Sequence, residues 1–151
     1  MQNSSLIISD KIIKILPYTK SFLYVDKISE IDDEHIVGHY TFSENDFFYK
    51  AHFKHIPITP GVILIEMMGQ IGMVCHLIYL TKIYDKDIPF HPILSNVEAS
   101  FLKEVKINDL LTVVSKKIYF RKNILKSTLE LYNSKKELCC FCTAQLHLVF
   151  D

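Results

Sequence analysis

A chain of 151 residues, 49% hydrophobic and 23% charged, can bury one core and is too short for two ordinary domains, so residues 1–151 read as a single domain. Seventeen Lys and Arg balance seventeen Asp and Glu, which removes the positive excess that a nucleic-acid partner requires. Four glycines and five prolines leave no flexible linker or low-complexity tail.

The opening segment, MQNSSLIISDKIIKIL, has neither a basic start before an apolar run nor a small-residue cleavage pattern, so it does not read as an export signal and the cytoplasm is the expected compartment. A short amphipathic helix is expected over residues 10–16, with Ser9 as cap and Pro17 as stop. Residues 22–31 and 35–42 read as strands joined by the acidic turn Asp32-Asp33-Glu34. The next stretch, NDFFYKAHFKHIPITPG, is aromatic and irregular, because Pro57 and Pro60 disfavour both helix and ladder pairing.

A helix follows at once. Residues 61–80, GVILIEMMGQIGMVCHLIYL, are long and apolar enough to cross a bilayer, but Glu66, Gln70 and His76 interrupt them, and an ionisable group near the middle of a lone span is costly in lipid. The expectation is a helix surrounded by protein in a soluble core, with no membrane partner. After it the period changes to two, and strands are expected at residues 93–101, 110–120, 124–133 and 138–150. In the last, Cys140, Cys142, Ala144, Leu146, Leu148 and Phe150 alternate with Thr143, Gln145 and His147, so one face is buried. Cys75, Cys139, Cys140 and Cys142 lack the CxxC spacing of a zinc site and read as packing thiols. Strands, one very apolar helix, then a strand meander describe an α+β fold in which an antiparallel sheet wraps a central helix. The sheet's edge invites pairing with a second copy.

Chemistry concentrates in AHFKHIPITPGVILIEMMGQ, residues 51–70. Thr59 can cap the helix through its hydroxyl, Pro60 suits the first helical position, and Gly61 leaves its backbone N–H unobstructed. Such an N–H, reinforced by the helix dipole, stabilises a developing oxyanion. His52 lies just upstream, and Glu66 projects from an apolar helix where burial would favour its protonated form. A base, a carboxylic acid and an oxyanion donor are the parts needed to remove water from a β-hydroxy thioester. Each residue also has a structural reading: His52 as a packed histidine beside Phe53, Glu66 as a paired core residue, Gln70 as its hydrogen-bond partner one turn on. His52, His55 and Glu66 can be drawn as metal ligands, but HxxH lacks the one-turn spacing that HExxH has on a helix, so no metal is expected.

The stretch resembles the signature of the FabZ-type β-hydroxyacyl-[acyl-carrier-protein] dehydratases, H-F-P-G-x-P-x-x-P-G-V-L-x-x-E-x-x-x-Q. It matches at His52, Phe53, Pro57, Pro60, Gly61, Val62, Glu66 and Gln70 with every interval kept. Upstream, ILPYTKSFLYVDKI resembles the family's L-P-H-R-x-P-F-L-L-V-D-R, and Asn45-Asp46-Phe47-Phe48 its N-E-x-F-F; downstream, Phe101 to Val105 echoes F-R-R-P-V. The resemblance implies a hotdog fold and a site at a dimer interface, where His52 of one chain faces Glu66 of the other and Gly61 supplies the oxyanion N–H. It implies a lyase that dehydrates (3R)-3-hydroxyacyl groups on acyl carrier protein to trans-2-enoyl groups, in fatty acid or related polyketide or polyene synthesis, with no metal or organic cofactor. The family commonly assembles as a trimer of dimers, and dimer and hexamer both fit. Phe53, Pro60, Gln70, Met67 and Phe101 would contact substrate, Met68 and Met73 would join the acyl channel, and Lys103, Lys106, Arg121 and Lys122 would form a docking patch for an acidic carrier. Lys54, His55 and Ile56 replace the family's P-G-x, and Tyr18 and Thr19 its His and Arg. Two alternatives stay open: a hotdog acyl thioesterase, in which Glu66 activates water, and a non-catalytic acyl-binding or scaffold subunit.

Overall fold

The computed structural model describes the backbone of residues 2–151 and the side chains of residues 4–151. Six strands, β1 (Lys27–Ile31), β2 (His35–Thr41), β3 (Phe90–Phe101), β4 (Leu110–Arg121), β5 (Ile124–Tyr132) and β6 (Leu138–Phe150), pair antiparallel in the order β1-β2-β4-β5-β6-β3. Helix α1 (Gln2–Lys14) precedes the sheet in sequence. The long helix α2 (Gly61–Thr81) carries a π turn at Gln70–Val74 and lies in the concave face of the sheet, which is the hotdog arrangement.

The strand residues that face α2 are those the two-residue period selects: Leu111 and Val113 of β4, Leu125, Leu129 and Leu131 of β5, Cys140, Cys142, Leu146 and Leu148 of β6. They meet Leu64, Met67, Met68, Ile71 and Ile78 of the helix, all buried. Each such side chain contributes about 1.5–3 kcal/mol on leaving water. The apolar run that is long enough for a bilayer is thus mostly covered by the protein's own sheet and α1. Two glycines set how closely helix and sheet approach. A Cβ on Gly38 would sit 2.5 Å from Ile71 Cγ2, and one on Gly72 2.5 Å from Leu129 Cδ2. No side chain fits in that space, so the middle of α2 touches β2 and β5 directly.

Edge strand β3 extends beyond the reach of α2. Leu94 and Phe101 pair with Leu146 and Cys140, whose side chains are buried on the helix side, yet Leu94 is 44% and Phe101 51% exposed. The sheet therefore presents an unpaired edge beside uncovered apolar side chains.

Three local expectations change. Helix α1 begins at Gln2 rather than at residue 10, and Ser9 is a buried interior residue rather than its cap. Packing of Ile8, Ile12 and Leu16 on the core outweighs the weak helix propensity of the serines. The first strand runs only over Lys27–Ile31, because the backbone of Phe22 and Tyr24 bonds to the Gln70 side chain instead of a neighbouring strand. Thr59 does not cap α2; Pro60 occupies the cap position, one residue before its expected place.

Two histidines meet at the β1–β2 turn. Buried His76 donates from Nε2 to the Asp32 carbonyl (2.8 Å), and its Nδ1 has no partner among the described residues. Burial holds its pKa below the usual range, with the Asp32 carbonyl bond acting the other way. His35 is pushed up by its bond to Glu30, against some desolvation, and by Asp32. Below pH about 6.5 the unfolded chain protonates His76 while the folded chain resists, so stability falls as pH drops through that value. The His35 contribution is complete below pH about 6.5 and is lost as pH rises through its raised folded pKa. Urea unfolding across pH 5 to 8 is expected to give a midpoint that declines on both sides, with His76→Gln flattening the acid side and His35→Gln the alkaline side. An acid-side decline unchanged in His76→Gln would contradict this assignment.

Candidate active site

The loop before α2 is held by its own backbone. After the turn Phe47–Lys50, the His52 N–H bonds Phe48 O (3.0 Å), Phe53 N–H bonds Ile56 O (2.7 Å), and Ile58 N–H bonds His52 O (2.8 Å). The peptide bond between His52 and Phe53 is cis. The imidazole is tied at one nitrogen: Nδ1 lies 3.0 Å from Ile58 O. A carbonyl only accepts, so Nδ1 carries the hydrogen and Nε2 keeps its lone pair. The Phe53 ring stacks on the imidazole at 4.1 Å. His52 is thus held at Nδ1, and its Nε2 has no hydrogen-bond partner among the described residues.

Thr59 anchors the head of the helix rather than capping it. Its hydroxyl donates to Val105 O (2.9 Å) and accepts from the Tyr49 phenol (2.6 Å). Burial pushes that phenol up to about 12 even though its bond to Thr59 works the other way, so it remains a donor at neutral pH. Intrahelical bonds begin with Ile63 and Leu64 N–H, both to Pro60 O. Among the described residues the Gly61 and Val62 N–H groups therefore have no acceptor, and they sit where the helix dipole is positive. The Phe101 ring lies over Gly61, 3.0 Å from where a Cβ would stand.

Glu66 is half-buried and held by Gln70. The Gln70 carbonyl oxygen accepts the Tyr24 N–H (2.8 Å), which fixes the amide's orientation. Its nitrogen then donates to Phe22 O (2.9 Å) and to Glu66 Oε1 (3.1 Å). Glu66 Oε1 is thus occupied as an acceptor, and Oε2 has no hydrogen-bond partner among the described residues. Tyr18 stands nearby: burial first, then the Glu66 charge, pushes its phenol well above the usual range.

The structure brings Gly61, Phe101, Pro60 and the His52–Phe53 pair to the head of α2, and joins Glu66 to Gln70. No hydrogen bond or ion pair among the described residues links His52 to Glu66 within one chain. Gln70, expected to touch substrate, is buried with its polar atoms engaged. Met67, Met68 and Met73 are fully buried in the chain's own core, so the channel-lining role expected of them does not fit their place. A turn of helix advances 100° per residue, and Met67 points to the sheet while Glu66 does not. The expected docking patch also divides. Lys103 and Lys106 border a cleft at the Leu110 end of β4, with Lys103 paired to Glu137, whereas Arg121 and Lys122 lie at the opposite end of that strand. The Ile58 carbonyl and the Phe22 and Tyr24 backbone escaped the sequence reading, and Tyr18 entered it only as a departure from the family's pattern. No residue type or spacing marks the first three: Phe22 and Tyr24 act through Gln70 across the fold, and the Ile58 carbonyl acts within its own loop.

A sheet wrapped round one long apolar helix is the hotdog fold, which solved thioesterases and dehydratases share. Solved structures sharing the fold include the dehydratase heterocomplex ApeI:P from Xenorhabdus doucetiae, with a TM-score of 0.74 at 13% identity over 91% of this chain and 88% of that one. A hypothetical thioesterase with coenzyme A from Streptococcus pneumoniae also shares it, with a TM-score of 0.59 at 15% identity over 83% and 86%. A FabA-like domain spans residues 16–137, and the chain belongs to the FabA-like family. It is 33% identical over 119 residues to the 3-hydroxyacyl-[acyl-carrier-protein] dehydratase FabZ of Caldicellulosiruptor bescii, covering 78% of this chain and 82% of that enzyme.

Replacing Gln70 by Leu leaves the buried Tyr24 N–H without a partner and releases Glu66. Urea unfolding of Gln70→Leu is expected to show a loss of about 1–3 kcal/mol. A loss within experimental error of zero would mean that the amide is not the clasp described.

Proposed function

We propose that the protein dehydrates (3R)-3-hydroxyacyl thioesters carried on acyl carrier protein to trans-2-enoyl thioesters, in the cytoplasm. The observation that carries the reading is the His52 imidazole, held at Nδ1 by the carbonyl of Ile58, three residues ahead of the Gly61 N–H that has no acceptor among the described residues. Membership of the FabA-like family and the FabZ relatives support it.

In this reading the thioester carbonyl rests against the Gly61 N–H, which stabilises the negative charge that gathers on oxygen as the α-proton leaves. His52 Nε2 takes that proton. The carbon–oxygen bond at the β-carbon breaks, and Glu66 Oε2 delivers the proton that turns the departing hydroxyl into water. His52 ends protonated and Glu66 ionised, and proton exchange restores both for the next turn.

In this reading, as the resemblance to the FabZ-type dehydratases implies, the Glu66 that serves a given His52 comes from a second copy. The unpaired β3 edge and the uncovered Leu94 and Phe101 beside it support such a dimer. Phe53 and Phe101 flank the substrate at the helix head, and the acyl carrier protein delivers it.

Hydration of a crotonyl thioester, the reverse reaction, is the direct assay. His52→Ala and Glu66→Gln are each expected to lower kcat/KM by at least about 100-fold, in keeping with the loss of a general base or acid, while circular dichroism shows the fold kept. Wild-type turnover in either variant rejects the mechanism. Release of free thiol without hydration would assign the site to thioester hydrolysis instead, and acyl binding with neither reaction would leave a scaffold.

A further inference from the structure

On α2 the positions that the sheet leaves open form one stripe. Val62, 73% exposed, is followed by Ile65, Glu66 and Gly69 at the three- and four-residue spacing of a single helix face, while Ile63, Leu64, Met67 and Met68 on the other faces are buried. The stripe ends at Gly69, because residues 70–78 are all buried.

Gly69 has ordinary helical backbone, φ −65° and ψ −43°, so no turn calls for glycine there. Among the described residues, apart from the helix's own neighbouring backbone, no atom lies within 4 Å of the Cβ that another residue would carry, in contrast to Gly38 and Gly72, which are hemmed in at 2.5 Å. A glycine inside a helix weakens the helical equilibrium about fivefold relative to alanine. Nothing within the chain compensates at this position, so whatever uses the space comes from outside it.

We propose that Gly69 determines specificity by leaving room on α2 for the acyl chain of the substrate beyond its β-carbon. The inference rests on the dehydratase reading, in which Glu66 protonates the β-hydroxyl. Side chains three residues apart on a helix have Cβ atoms about 5–6 Å apart, so an acyl chain leaving the β-carbon beside Glu66 meets position 69 within its next few carbons. In the other direction along the stripe, Ile65 and Val62 fill the surface with side chains. The bare backbone at Gly69 makes a trough, and the substrates it favours carry a long or wide acyl group rather than a four-carbon one.

The test compares hydration of 2-decenoyl and crotonyl thioesters of N-acetylcysteamine by the wild type, Gly69→Ala and Gly69→Leu. The ratio of kcat/KM for the ten-carbon substrate to that for the four-carbon one is expected to fall about tenfold in Gly69→Ala and further in Gly69→Leu, the scale of an added methyl in an apolar pocket. The unfolding temperature of Gly69→Ala is expected to rise, since the new methyl meets no atom of the chain. An unchanged ratio in an active enzyme overturns the inference and leaves the dehydratase reading standing. An unchanged ratio with a lower solution mass for Gly69→Leu by light scattering assigns the space to a second copy, and overturns it too. A wild type that hydrates neither thioester overturns both.

Discussion

Seating a 21-residue apolar helix against a single curved sheet is the constraint on which the rest of this structure depends. The sheet leaves one stripe along the first half of the helix open, and Gly38 and Gly72 bring the two into contact at the middle of α2. That close approach fixes the helix's rotation. Met67, Met68 and Ile71 are turned into the core, and Val62, Ile65, Glu66 and Gly69 are left along an open stripe. A helix rotated by one residue would bury Glu66 and expose methionine. The location of the carboxyl is therefore a consequence of packing at glycines several residues away, and the chemistry inherits its geometry from the core.

Several polar groups near that helix are engaged in ways that leave particular atoms unspent. Gln70 uses its oxygen on Tyr24 and its nitrogen on Phe22 and Glu66, so one Glu66 oxygen is engaged and the other is available. Thr59 and Tyr49 anchor the segment entering the helix to Val105 and do not block the Gly61 N–H. Ile58 O engages one imidazole nitrogen and leaves the other. Three unspent atoms, a lone pair, an N–H and a carboxyl oxygen, are the chemical content of the proposed site. They lie on a surface where the sheet edge and its apolar neighbours are also uncovered, and a second chain would complete both at once.

Much of this was legible in the sequence where the signal is local. The alternation from Leu138 to Phe150 delimits β6 at both ends and holds from Cys140 to Leu148, while Cys139 is buried out of phase and Phe150, expected on the buried face, is exposed at the strand's end. The spacing of His52, Gly61, Glu66 and Gln70 located the helix head and the clasp one turn below Glu66. Local pattern failed where a contact across the chain outcompeted it. The segment from Phe22 to Tyr24 has a strand's composition, but Gln70, 46 residues away from Tyr24, claims its backbone. Thr59 has a cap's chemistry and spends it on Val105, equally distant. Met67 looks suited to a lipid channel and is core, because the helix's rotation is set by glycines that carry no chemical mark.

The claim that two chains share the site is tested most directly by mixing two inactive variants. A dimer of one His52→Ala chain and one Glu66→Gln chain contains one site built from an intact His52 and an intact Glu66, and one site lacking both. Unfolding the variants together and refolding them by random reassortment should restore about a quarter of the wild-type hydration rate. No recovery in a mixture shown by mass spectrometry to contain mixed dimers would contradict the shared site.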